Sequence, residues 1–311
     1  MEKSGRTLDR VQALFGVMTD NMSTPAYQAL DKEWSPKLSA ASDEITLNPQ
    51  LFQRVKAVYD ARANLAAKEQ RLVTRYYESF VRNGANLNPT QKQQLTQYNQ
   101  QLAKAFSNFS EKVLADESKY TVTTAAQLKG VPQDVKNAAL AAAKERKLPA
   151  GQYAIVNTRS AVDPILTFAD NRALREKVWR EFVNRGDNGD KNDTNATVAE
   201  IVKLRADRAR LLGYPTHAAW RMQDTMAKTP ENAMNLMMKV WPAAVARVKE
   251  EVSDQQALAN KLGQKIKIEP WDYRYFQEKV RKEKFDFSQE EVKPYFELNN
   301  ILKGMILAQA P

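Results

Sequence analysis

The chain has 311 residues, a formal net charge of +10, a single histidine and no cysteine. The lack of thiols excludes disulfides, thiolate catalysis and cysteine-based metal sites, and it fits a reducing compartment. Basic and acidic residues are interleaved, as in ARANLAAKEQRLVTRYYESF, so no basic block marks a nucleic-acid surface.

No apolar stretch approaches the length of a membrane span. The opening residues MEKSGRTLDRVQALFGVMTD lack the apolar run and small-residue cleavage site of a signal peptide. The expectation is a soluble chain with neither nucleic acid nor membrane as partner. Length predicts about two domains. Few glycines and prolines, with abundant Ala, Leu, Gln, Lys and Glu, favour helix over strand.

In chain order, Leu8, Val11, Leu14, Phe15 and Met18 lie at helical spacing. Thr24-Pro25, Asn48-Pro49, Asn88-Pro89 and Thr229-Pro230 each pair a capping side chain with a proline suited to a first helical turn. Leu51, Val55, Val58 and Tyr59 share a face of the helix after Asn48. LVTRYYESFV continues as helix to a stop at Asn83-Gly84. Leu95, Tyr98, Leu102, Phe106, Phe109 and Val113 then form the stripe of a long helix from Thr90 to about Asp116.

The character changes after Lys119. YTVTTAAQL reads as a connector, QDVKNAALAAAKERK as a modest helix and YAIVNT as a strand. DPILTFAD either pairs with that strand in a small hairpin or leads back to helix. Helix resumes at Asn171 with Leu174, Val178, Trp179 and Phe182.

The loop NRGDNGDKNDTNAT places Asp187, Asp190 and Asp193 three apart, which does not fit the alternate-position register of an EF-hand. It reads as a turn, with Asp193 or Thr194 capping the next helix. That helix turns Val198, Ile201, Val202, Ala209 and Leu212 inward. In the long helix that follows, Pro242 marks a kink or join, and Met234, Met237 and Met238 read as core filling. Tyr273, Phe276 and Val280 share a face, and Ser288 with Glu291 has the form of a capping box.

The chemistry available is sparse. An HExxH zinc site needs two histidines one turn apart plus a third ligand, and His217 stands alone. No G-x-S-x-G elbow accompanies it, and the THAAW context suits capping or packing. Glu250-Glu251 and Glu290-Glu291 are adjacent, so their side chains diverge on a helix. No phosphate-binding glycine loop occurs. The residues themselves carry no recognisable catalytic apparatus, and no catalytic or metal-binding residue is assigned.

Several segments in order do carry a resemblance. LFQRV after LNPQ, RLVTRYYESFVRNGANL, LKGVPQDV, LRADRARLLGYPTHAAWRMQDTMAKTPENAMNLM and PWDYRYFQEKVRKEKFDFSQEEVKPYFELNNIL resemble the thimet oligopeptidase family of zinc metallopeptidases. Within it they look most like the peptidyl-dipeptidase (dipeptidyl carboxypeptidase) branch. The resemblance implies a nearly all-helical ellipsoid of two domains split by a deep channel, a catalytic zinc, and short peptides as substrates.

In the family the zinc-binding helix follows the segment matching PYFEL, and a leading segment precedes the position matching Met1, so by resemblance both ends of this chain look cut. Zinc is thus a cofactor of the family that this chain alone is not expected to bind. The expected fold is all-α with a minor β-hairpin. It comprises an N-terminal helical region (1–118), a connector with a small β element (119–170) and a helical region leading toward the zinc-binding part (171–311).

By resemblance, Trp271 and Asp272 match the family's W-D pair, and Tyr275 and Phe276 join them as substrate-channel candidates. Phe276 stands where a second tyrosine was expected. The implied role is channel wall, inactive without a companion catalytic portion. The alternative is a helical peptide- or partner-binding module without catalysis. The expected compartment is cytoplasmic, with the periplasm the alternative for a longer parent.

Overall fold

A computed structural model describes residues 5–286 and 289–309. The helices α1 (Arg6–Asn21), α2 (Pro25–Thr46), α3 (Pro49–Asp60), α4 (Ala67–Arg82) and α5 (Pro89–Glu117) come first. Next are β1 (Tyr120–Thr124), α6 (Gln133–Glu145), β2 (Gln152–Val156), α7 (Arg159–Phe168) and α8 (Arg172–Val183). Then follow α9 (Asn195–Leu211), α10 (His217–Met222), α11 (Pro230–Lys261), α12 (Tyr273–Phe285), α13 (Gln289–Val292) and α14 (Leu298–Gln309). The fold is all-α apart from one two-stranded antiparallel sheet, in which Val122 faces Ala154.

All four cap-proline starts form as the sequence predicts. Thr24 accepts from the Tyr27 amide (3.4 Å), Asn48 from Leu51 (2.9 Å), and Thr229 from Asn232 (3.2 Å). At α5 the exchange is reciprocal: Asn88 Oδ1 accepts from the Gln91 amide (2.9 Å) while Gln91 Oε1 accepts from the Asn88 amide (3.1 Å). Each such cap satisfies an amide that the helix itself leaves unpaired, worth about 1 kcal/mol.

The chain divides into two compact units, each built from separated stretches. One joins the described residues up to Ala115 to Gly186–Met237. Its cores are Phe52, Val55, Phe80 and Ala85 between α3 and α4, and Leu102, Ala105, Ile201 and Leu204 between α5 and α9. The other joins Asp116–Arg185 to the described residues from Met238 onward. Its main core includes Leu128, Ile155, Val162, Ile165, Leu174 and Val178, under the sheet and α6 to α8.

Several local expectations change. YTVTT is a strand, not a connector, because Thr121 and Thr123 point inward while Val122 is exposed. The two strands pair across the intervening α6 rather than through a tight turn. Most of DPILTFAD lies in α7, with Pro164 inside that helix. Val198 and Val202 of α9 are exposed, since Thr197, Ile201, Leu204 and Ala209 take the inner face. Pro242 marks no join, since α11 runs through it as one helix. Met234, Met237 and Met238 are each 53% exposed and fill no core. Thr194 lies at the N-cap of α9 without a side-chain cap bond. Ser288, and with it the predicted capping box, lies outside the described residues.

Gly84 shows how sequence and packing converge. It ends α4 at φ +95°, and a Cβ placed there would lie 2.5 Å from Leu95 Cδ2, a side chain only 2% exposed. Left-handed strain and overpacking would therefore coincide. Gly84→Ala is expected to destabilise the protein by roughly 1–3 kcal/mol, read as a lowered urea midpoint, whereas Gly189→Ala, with nothing near its Cβ, meets only the backbone part of that cost.

Candidate functional site

The sequence candidates Trp271, Asp272, Tyr275 and Phe276 come together at the start of α12. They do so around a feature that the sequence did not single out, the arginines of α8. Asn171 caps α8 by accepting from the Leu174 amide (3.0 Å). This fixes the first turn, from which Arg172 and Arg175 project on the same side, one helical turn apart.

Asp272 has no exposed surface and Arg175 is 1% exposed. Arg175 Nη2 donates to Asp272 Oδ1 at 2.8 Å, and Arg172 Nη2 donates to Oδ2 at 2.8 Å, with Arg172 Nε 3.1 Å from both oxygens. The Glu269 amide adds a bond to Oδ2 (3.2 Å). The rest of Arg175 is also engaged. Its Nη1 donates to the Ala169 carbonyl (2.8 Å) and the Asp170 carbonyl (3.3 Å), and its Nε to that of Trp271 (3.3 Å).

Burial alone would raise the Asp272 carboxyl. The hydrogen bonds from Arg172 and Arg175 outweigh it and hold the group below the ordinary carboxylate value. The bond to Asp272 correspondingly raises Arg172.

The aromatic candidates close over this pair. The Arg175 guanidinium lies 4.0 Å from the centre of the Tyr275 ring, and Tyr275 Oη donates to Asp170 Oδ1 (2.9 Å). Burial, then that bond to Asp170, pushes the phenol up to about 12. Phe276, fully buried, meets Tyr275 edge-to-face at 5.2 Å. Trp271 packs edge-on against Trp179 at 5.7 Å, with the Arg180 guanidinium 4.9 Å from its ring. Gly130 admits the close approach of the 129–131 turn, since a Cβ there would lie 2.5 Å from the Phe168 carbonyl oxygen. None of the four candidates exposes more than 9% of its surface. Beside the cluster, a groove of about 650 Å³ is lined by Leu166, Trp179, Ile268, Pro270, Tyr273 and Gln277, among others.

The described residues do not assemble the donor set of a hydrolytic zinc. The sole imidazole, His217, is held below its ordinary value by burial and by the charges of Arg205, Arg208 and Arg221, an environment that repels a cation. The most buried carboxylate of the cluster, Asp272, is already saturated by two guanidinium groups. Among the described residues no group of three or more His, Asp or Glu side chains converges as a metal site. Nor is any helix among them long and apolar enough to cross a membrane.

Comparison with known proteins gives a consistent relationship. Residues 165–309 match the model of peptidase family M3. The chain is 37% identical to the dipeptidyl carboxypeptidase of Escherichia coli (strain K12) over 97% of its own length and 45% of the relative's. It is 34% identical to the dipeptidyl carboxypeptidase of Salmonella typhimurium with the same coverage, and 26% identical to oligopeptidase A of Escherichia coli. The chain thus spans less than half the length of the curated relatives it matches.

The buried pair carries a stability prediction. Asp272→Ala strands Arg175 without its counter-charge and is expected to cost about 3–5 kcal/mol in chemical denaturation. Because the folded-state carboxyl is depressed, its contribution is complete above the unfolded value near 3.8 and is lost as pH falls through the lower folded value. The acid limb of a stability–pH profile should therefore flatten in Asp272→Asn. An unchanged acid limb would remove the linkage.

Proposed function

Since residues 165–309 match the model of peptidase family M3, we propose that the chain is the N-terminal portion of a zinc-dependent oligopeptidase of the dipeptidyl carboxypeptidase type. In this reading it shapes the channel through which short peptides reach the catalytic centre and does not itself hydrolyse them. The observation that carries it is similarity along almost the whole chain, read beside a sequence whose single histidine cannot form an HExxH pair. Trp271, Asp272, Tyr275 and Phe276 serve the channel from behind, because buried side chains cannot grip a peptide but can fix the segment that does.

Two exposed apolar faces support the need for a companion portion. On α11, Met234, Met237, Met238 and Trp241 recur at helical spacing and are more than half exposed. On α14, Leu298, Met305, Ile306 and Leu307 are as open. Uncovered faces of this kind are sites of association. The companion would supply the HExxH helix and the zinc, whose chemistry is activation of water and polarisation of the scissile carbonyl. The proposed compartment is the cytoplasm.

The second reading, a non-catalytic binding module, is favoured by the methionines of α11 alone, since flexible thioether side chains adapt to varied apolar partners. The two readings separate in one experiment. The chain is purified alone and fused to the part of Escherichia coli dipeptidyl carboxypeptidase outside the matched region. Each is assayed for zinc content and for dipeptide release from a blocked tetrapeptide. Chelator-sensitive release and about one zinc per molecule are expected only of the fusion. The isolated chain should self-associate in sedimentation, and Trp241→Glu should reduce that association. Stoichiometric zinc and dipeptide release by the chain alone would overturn the proposal. Peptide binding by the chain, with an inert fusion, would favour the second reading.

A further inference from the structure

The first unit contains a cavity of about 420 Å³ between α2, α5, α9 and α10. Its lining is of two kinds. Leu95, Leu102, Phe106 and Leu212 give an apolar side, and Ser39, Ser42 and Thr46 give hydroxyls on one face of α2. Asp43, Asn99 and Arg208 also line it, and they form a chain of contacts. Asn99 Nδ2 donates to Asp43 Oδ1 (2.9 Å) and Oδ2 (3.1 Å), and Arg208 Nη1 donates to Asn99 Oδ1 (3.0 Å).

Asn99 therefore holds an acid and a base apart rather than letting them pair. Neither Asp43 nor Arg208 has a counter-ion within ion-pair distance among the described residues. Arg208 Nε is buried without any hydrogen-bond partner, while its guanidinium lies 4.6 Å from the Trp220 ring centre. The charges of Arg205 and Arg221 act on it as well, which adds to the local demand for an anion. Burial raises Asp43 against its hydrogen bonds and against the more distant charge of Arg208. A half-buried charge without a counter-ion in contact is costly, and the cost here falls on both signs across one cavity.

We propose that this cavity binds a small zwitterion of free amino-acid or dipeptide size, its carboxylate on Arg208 and its ammonium on Asp43. The hydroxyls of Ser39 and Ser42 accompany the charged ends, and the apolar side chain of the ligand lies along Leu102 and Phe106. The volume falls within the range of small-molecule pockets. The site is independent of proteolysis, and its test does not require an active enzyme.

The probe is alanyl-leucine, titrated calorimetrically into the full chain. Saturable one-to-one binding is expected. The C-terminal amide and the N-acetylated dipeptide should each bind roughly ten- to a hundredfold more weakly, as loss of one charge-assisted contact implies. Arg208→Met and Asp43→Asn should weaken the free dipeptide to a similar degree, and Asp43→Asn should leave binding of the N-acetylated form unchanged. Should a variant fail to fold, labelling of the wild-type chain with phenylglyoxal supplies the same information. Saturating dipeptide should slow modification at Arg208 selectively. Equal affinity for all three dipeptide forms, equal affinity for inorganic phosphate, or unprotected Arg208 at saturating dipeptide would each overturn the proposal.

Discussion

Two charges removed almost entirely from water, Arg175 and Asp272, set the constraint on which the second unit depends. Taking either into the interior alone would cost several kcal/mol, so each must be met by the other and by every polar atom within reach. The chain arranges this completely. The bound carbonyls belong to Ala169, Asp170 and Trp271, so satisfying one guanidinium draws the entrance of α8 and the entrance of α12 into a single arrangement. Such a pair adds little net stability over an apolar replacement, yet it penalises any register in which the partners miss each other. Precision in this segment, more than strength, is what the pair supplies.

Most helices of this fold were legible because their signals are local. A capping side chain followed by proline states where a helix begins whatever packs against it later, and Asn48, Asn88 and Thr229 behave accordingly. The strand β1 was not legible for the opposite reason. Its inward residues are Thr121 and Thr123, held by Glu181 and Gln127, and its valine faces outward. Hydropathy alternation is thus inverted, and only the tertiary partners explain it. The arginines of α8 escaped attention similarly: a basic residue reads as a solvated one until a distant acid is known to meet it. Both compact units also join stretches far apart in sequence, which a linear reading of composition does not reveal.

The stripe on α11 presents the reverse case. Met234, Met237, Met238 and Trp241 obey helical periodicity, and periodicity reports that a face exists, not that something within the chain covers it. Burial was therefore the natural expectation, and exposure is what the fold displays. The relatives give that exposure a physical sense under the proposed reading, since they carry more than twice the matched length. An amphipathic helix with its apolar face open is a surface suited to association, and the sequence encodes that face without encoding what covers it.

Set beside the α8–α12 cluster, the acid and base around Asn99 obey the same electrostatics with a different outcome. In the second unit the carboxylate and guanidinium touch, and every nitrogen of Arg175 donates a hydrogen bond. In the first, an amide is interposed, the Nε of Arg208 is left bare, and a cavity opens beside both groups. Had stability alone shaped this site, direct contact between Asp43 and Arg208 would have offset the desolvation cost, and apolar side chains in their place would have removed it. Keeping both charges while holding them apart makes sense when each has an external partner of opposite sign. The spacing then becomes a measure of the ligand, because the bridge of one asparagine sets how far apart its charged ends must lie.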